Sequence, residues 1–107
     1  MSTATSGRAR EHKIRDLFID AGWLLVARSA GSKGAADLVM VHPFFGLALI
    51  QVGTANKTLG PDDRNRFVTL AEACGAMALL VSCAPRVAPV CWQVTRDVPS
   101  KWERWSL

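Results

Sequence analysis

Apolar residues recur at helical spacing near the start of the chain. Ile14, Leu17, Phe18 and Ala21 fall at i, i+3, i+4 and i+7, and Gly22 follows as a stop. The pattern predicts an amphipathic helix from Arg8 to Ala21, about three to four turns long. Trp23 to Arg28 is a short apolar run ahead of a Ser/Gly-rich stretch and reads as a buried strand. Ser29 to Ala35 reads as a loop. Ala36 to His42 and Gly46 to Val52 are β-rich runs on either side of Pro43-Phe44-Phe45, the layout of a hairpin. A polar stretch from Thr54 leads to Pro61-Asp62-Asp63, which opens a second helix with acidic residues in its first turn. Its apolar stripe is Phe67, Leu70, Ala71 and Cys74, ending at Gly75. Two more strands follow, Met77 to Val81 and Val90 to Val94, separated by a loop containing Pro85 and Pro89. In the tail, Trp102 and Trp105 are three apart and share a helical face with Val98. They read as packing or dimer contacts. The element string is α-β-β-β-α-β-β, an α/β fold with a central mixed sheet flanked by helices.

The 107 residues suit one domain, with 1–6 a disordered tail and 7–107 the folded unit. Half the residues are apolar and 21% are charged, which excludes intrinsic disorder. The chain lacks an apolar run of membrane-spanning length and a signal-peptide pattern at its start, so the reading is an intracellular, cytoplasmic protein with no membrane partner. Cys74, Cys83 and Cys91 have no metal-ligand spacing and read as buried thiols. His12 and His42 read as a surface group and a turn residue. The net charge of +4 favours an anionic partner, of which nucleic acid is the commonest.

The hairpin directs candidate chemistry to one place. If His42 pairs with Gly46, Asp37 lies opposite Gln51, about 5 Å away on the same face. Gly53 shares that face because side chains alternate. Glu11 lies about 70° from the centre of the first helix's apolar arc and borders its buried side. Two acids and an amide oxygen suit a hard divalent cation, Mg²⁺ or Mn²⁺, with the Val52 carbonyl as a further ligand.

Gly7-Arg8-Ala9-Arg10-Glu11, Ala30 to Asp37 and Leu49-Ile50-Gln51-Val52 together resemble the PD-(D/E)xK nuclease superfamily. Within it, the resemblance is to the archaeal-type and phage-type Holliday junction resolvases, and it extends from residue 7 to about residue 94. It implies a restriction-endonuclease-like core and metal-dependent hydrolysis of phosphodiesters in four-way DNA junctions, with roles in DNA recombination and repair. The implied catalytic positions are Glu11, Asp37, Gln51 and 53, with Glu11, Asp37, Gln51 and Val52 around the metal. Position 53 is Gly where the resemblance predicts Lys, the group that orients the attacking water and offsets charge on the phosphate. Three outcomes are open: Lys57 swings back, Lys33 substitutes from the opposite loop, or Gly53 is an inactivating change. The reading favours the last.

Beside such a site, Arg8, Arg10, Lys13, Arg28, Ser32, Lys33 and Lys57 are candidates for contact with the DNA backbone. A homodimer matches the approximate two-fold symmetry of a junction, and Phe44 and Phe45 read as residues of a subunit interface. The alternatives are a catalytically dead DNA-binding form, another repair or restriction nuclease of the superfamily, and a basic dimeric scaffold for protein contact.

Overall fold

A computed structural model of the chain describes residues 3–28, 36–54 and 59–106, with side chains from residue 8 onward. Its elements are α1 (Thr3–Asp20), β1 (Leu24–Arg28), β2 (Leu38–His42), β3 (Gly46–Gly53), α2 (Pro61–Cys74), β4 (Ala76–Ser82), β5 (Val90–Gln93), a 3₁₀ turn (Pro99–Lys101) and β6 (Glu103–Trp105). The strands form one sheet in the order β1-β2-β3-β4-β5-β6. All neighbours are antiparallel except β3 and β4, whose parallel pairing the α2 crossover makes possible. This is the mixed-sheet α/β fold expected from the sequence, extended by a sixth strand.

Each helix covers one face of the sheet. Ile14 and Phe18 of α1 pack with Leu38, Met40, Ala48, Ile50, Leu79 and Val81. Phe67 and Ala71 of α2 pack with Leu49, Ala78 and Leu80 on the opposite face. Because side chains alternate, the central strands β3 and β4 bury residues on both faces, and each reads as a nearly continuous apolar run. Gly75 ends α2 in the left-handed region at φ 66°, and its N–H caps the carbonyls of Ala71 and Glu72. In the β2–β3 hairpin His42 pairs with Gly46, as the loop length requires. Gly46 sits at φ 81°, a conformation that costs a residue without Cβ little. His42 acts as a turn residue, its Nδ1 accepting the N–H groups of Phe44 (3.0 Å) and Phe45 (3.3 Å).

Several expectations need correction. Helix α1 starts at Thr3, five residues before the Arg8 at which its periodicity predicts a start. Strand β1 is exposed along its whole length, with Leu24 63% and Val26 56% accessible, rather than buried. It is the edge strand, and Val26 forms a bulge between the Leu25↔Met40 and Ala27↔Val39 pairs. The tail is a 3₁₀ turn and a strand rather than a helix. A separation of three places residues on one side of a helix but on opposite sides of a strand. Accordingly Trp102 is buried on the α2 face, and Trp105 packs toward the α1 face.

The sheet-facing side of α2 runs through Arg64, Phe67 and Ala71, about 90° from Leu70, which is exposed. Cys74, off the centre of that face in the last turn, is also exposed, whereas Cys83 and Cys91 are buried. Phe45 is half-exposed and packs within its own chain, stacked on Trp23 at 6.1 Å and edge-on to Trp105 at 5.1 Å. Phe44 stays 83% exposed.

Candidate functional site

The site is built where β2 begins and β3 ends. Strand pairing stops at Leu38↔Ile50, so Asp37 does not form the cross-strand pair with Gln51 that the hairpin register predicts. The chain bends at Asp37, and its N–H donates to the Ile50 carbonyl at 2.8 Å. The side chain takes over where the backbone ladder ends: Asp37 Oδ2 accepts the Val52 N–H at 2.8 Å. This half-buried contact holds a carboxylate against the last residues of β3.

Main-chain alternation adds a second oxygen. In a strand the N–H and C=O of one residue point to the same side, so the Val52 carbonyl faces the β2 side with its N–H, beyond the last β2 pair. Gly53 points the other way, and its carbonyl accepts the Cys83 N–H at 2.8 Å. Gly53 is buried, so the position at which the resemblance predicts a lysine lies inside the fold.

Sheet alternation separates the other members. Ile50 and Val52 turn toward α1, so Gln51 and any substituent at position 53 turn toward the α2 face with Leu49. Gln51 is half-buried, and Glu11, also half-buried, is carried by α1 over the first face. Asp37 lies at the strand ends, its carboxylate against the Val52 amide. Among the described residues no three His, Cys, Asp or Glu side chains cluster closely enough to hold a metal. A cation held by Asp37 would complete its shell with amide, main-chain or water oxygens. Two carboxylates, an amide and a carbonyl are all hard oxygen donors and suit Mg²⁺ or Mn²⁺ by type.

Of the basic candidates, Arg8 and Lys13 are exposed and Arg10 is half-buried on α1, while Arg28 is exposed at the end of β1. Ser32, Lys33 and Lys57 lie outside the described residues. Sequence reasoning missed the bond between Asp37 and the Val52 amide, because periodicity assigns faces to side chains and is silent about which of them replaces a ladder bond. It also missed a cleft between α1 and the ends of β3 and β4.

No protein-family model matches the sequence, and no curated protein matches it. Among solved structures, the fold is similar to that of Hjc, a Holliday junction resolvase from the archaeal hyperthermophile Archaeoglobus fulgidus. The match has a TM-score of 0.64 at 23% identity and covers 80% of this chain and 75% of that one. The likeness is one of fold, the restriction-endonuclease-like arrangement of α1, α2 and the mixed sheet.

Proposed function

We propose that the chain is a metal-dependent, structure-selective endodeoxyribonuclease of the Holliday junction resolvase type whose hydrolytic step is weakened at Gly53. The observation that carries this reading is the Asp37 carboxylate fastened to the Val52 amide at the end of β3, within the fold of a known resolvase. Asp37 and the Val52 carbonyl would hold the Mg²⁺ or Mn²⁺ at the strand ends, with Glu11 approaching from the α1 face and Gln51 from the α2 face. When bound, such an ion polarises a phosphodiester and makes a coordinated water more acidic.

The chain's own residues set the limits. Asp37 is held in position before any ligand arrives, because its Oδ2 is already hydrogen bonded. Gln51 brings an oxygen dipole but no charge, so the negative charge of the site rests on Asp37 and Glu11. Gly53 brings no ammonium to orient water or offset charge on the phosphate. The buried glycine also favours a second reading, a form that binds branched DNA as a homodimer without cutting it.

The test is a labelled four-way junction and a linear duplex, incubated in Mg²⁺ or Mn²⁺ with the present chain, Gly53→Lys and Gly53→Ala. We expect all three to bind the junction more tightly than the duplex. Gly53→Lys should cleave it about tenfold or more faster than the other two, with Gly53→Ala and circular dichroism reporting whether a side chain at 53 is accommodated. Junction binding with no cleavage by any form would establish the binding-only reading. Equal affinity for junction and duplex would overturn both.

A further inference from the structure

A pocket of about 520 Å³ opens between the N-terminal half of α1 and the chain just beyond β3 and β4. Its walls include Ala9, Arg10 and Lys13 from α1, Thr54 after β3, and Cys83 and Pro85 after β4. Arg10 and Lys13 are three residues apart and therefore lie on one side of the helix. Among the described residues no carboxylate lines the pocket, so the charge its walls present is that of the two cations. Ala9, Pro85 and Cys83 add apolar wall beside the two cations. The Thr54 hydroxyl adds a neutral donor. A guanidinium, an ammonium and a hydroxyl at the mouth of an apolar cleft are suited to a tetrahedral oxyanion.

The pocket is joined to the candidate site through the backbone. Thr54 follows Gly53 directly, and the Cys83 N–H holds the Gly53 carbonyl at 2.8 Å. Thr54 continues the alternation of Ile50 and Val52 and so falls on the α1 face of the sheet. The geometry points to a phosphodiester-binding pocket in which Arg10 and Lys13, with Thr54, grip a DNA backbone phosphate on the α1 side of the strand ends. A lysine at position 53 would project from the opposite face, so this pocket positions the DNA and does not replace that lysine. The identity of the DNA rests on the function proposed above, whereas the anion chemistry of the pocket stands without it.

The test has two arms. In the first, dimethyl phosphate and inorganic phosphate are titrated separately into the full chain while the amides of Thr54, Cys83 and Ala84 are followed by NMR. We expect saturable shifts with dimethyl phosphate that disappear in Arg10→Gln/Lys13→Gln and persist in the charge-preserving pair Arg10→Lys/Lys13→Arg. Shifts that are absent, or unchanged in the Gln pair, overturn the pocket. In the second arm, DNA affinity is measured against salt. The Gln pair should weaken binding about tenfold and lower the slope of log K against log salt by about one, the loss of one phosphate contact. The control Lys101→Gln/Arg104→Gln removes as much charge from residues that do not line the pocket, and its slope should stay at the parent value.

A slope that is the same for the Gln pair and the parent overturns the assignment to DNA, even if inorganic phosphate binds. A slope lowered only in the Gln pair, in a chain that does not prefer junction to duplex, upholds the pocket and overturns the junction reading.

Discussion

Replacing Asp37 by Ala and by Asn separates its structural task from its chemical one. The Asp37 carboxylate accepts the Val52 N–H at 2.8 Å in a half-buried position. A hydrogen bond to a charged group contributes about 1.5–3 kcal/mol, and partial access of water to the freed amide brings the loss in Asp37→Ala to about 1–2 kcal/mol. Asn keeps an acceptor oxygen at the same place and exchanges a charged acceptor for a neutral one, so Asp37→Asn should cost less than about 1 kcal/mol. In a domain of this size about 1 kcal/mol moves Tm by roughly 4 °C, so Ala should lower Tm by roughly 4–8 °C and Asn by less than roughly 4 °C. Urea denaturation at pH 7 supplies ΔG, and repeating it in millimolar Mn²⁺ reads the cation. Manganese should raise the stability of the parent chain and leave both variants unchanged, because each has lost the carboxylate charge. Equal destabilisation by Ala and Asn, or no measurable cost for Ala, would show that the Val52 amide does not depend on this side chain.

The remaining predictions concern the frame of the site. Arg64 is buried, and its Nη1 donates to the Leu59 carbonyl at 3.1 Å and its Nε to the Arg96 carbonyl at 3.4 Å. Arg64→Met should therefore cost about 1–3 kcal/mol in urea denaturation through the unpaired carbonyls; a neutral result would show that water replaces the donors. Arg96 holds the Glu72 carboxyl below the usual carboxylate range, chiefly through their 2.8 Å hydrogen bond. A depressed folded-state pKa contributes stability above the unfolded value that fades as pH falls through the folded one. Any difference in stability between the parent and Glu72→Gln should thus shrink on acidification, as measured by thermal melts from pH 7 to pH 2. A gap that widens on acidification would reverse the assigned sign.

Burial pushes the Cys91 thiol up to about 12. In the folded chain a thiol reagent at pH 8 should modify Cys74 rapidly and Cys91 only after unfolding, read by mass spectrometry. The raised value also predicts stability that is full below the ordinary thiol range and declines as pH rises toward 12, because the unfolded chain ionises first.

Much of the fold is legible in the sequence because its signals are local. The loop Pro43-Phe44-Phe45 sets the His42↔Gly46 register, and Pro61 and Gly75 bound α2 through constraints on their own backbones. The candidate residues Asp37, Gln51 and Gly53 are likewise visible, since a hairpin of known loop length brings their segments together. Periodicity is less informative where the partner lies far away. Leu24, Leu25 and Val26 form as apolar a run as Leu47 to Ile50, yet one run is the edge of the sheet and the other its centre.

The chain's own pattern thus determined the two helices, the first five strands, the hairpin register and the absence of a lysine side chain at position 53. Strand order decided which apolar run is covered, and it sent Trp102 and Trp105 to opposite faces once the tail joined the sheet as β6. The end of the β2 ladder decided that Asp37 would satisfy the Val52 amide with its side chain. The crossing of α1 over the ends of β3 and β4 decided that Arg10 and Lys13 would meet Thr54 in one cleft. The division has a physical cause: backbone sterics and side-chain period act over a few residues, whereas burial, ladder ends and clefts depend on which distant segments meet.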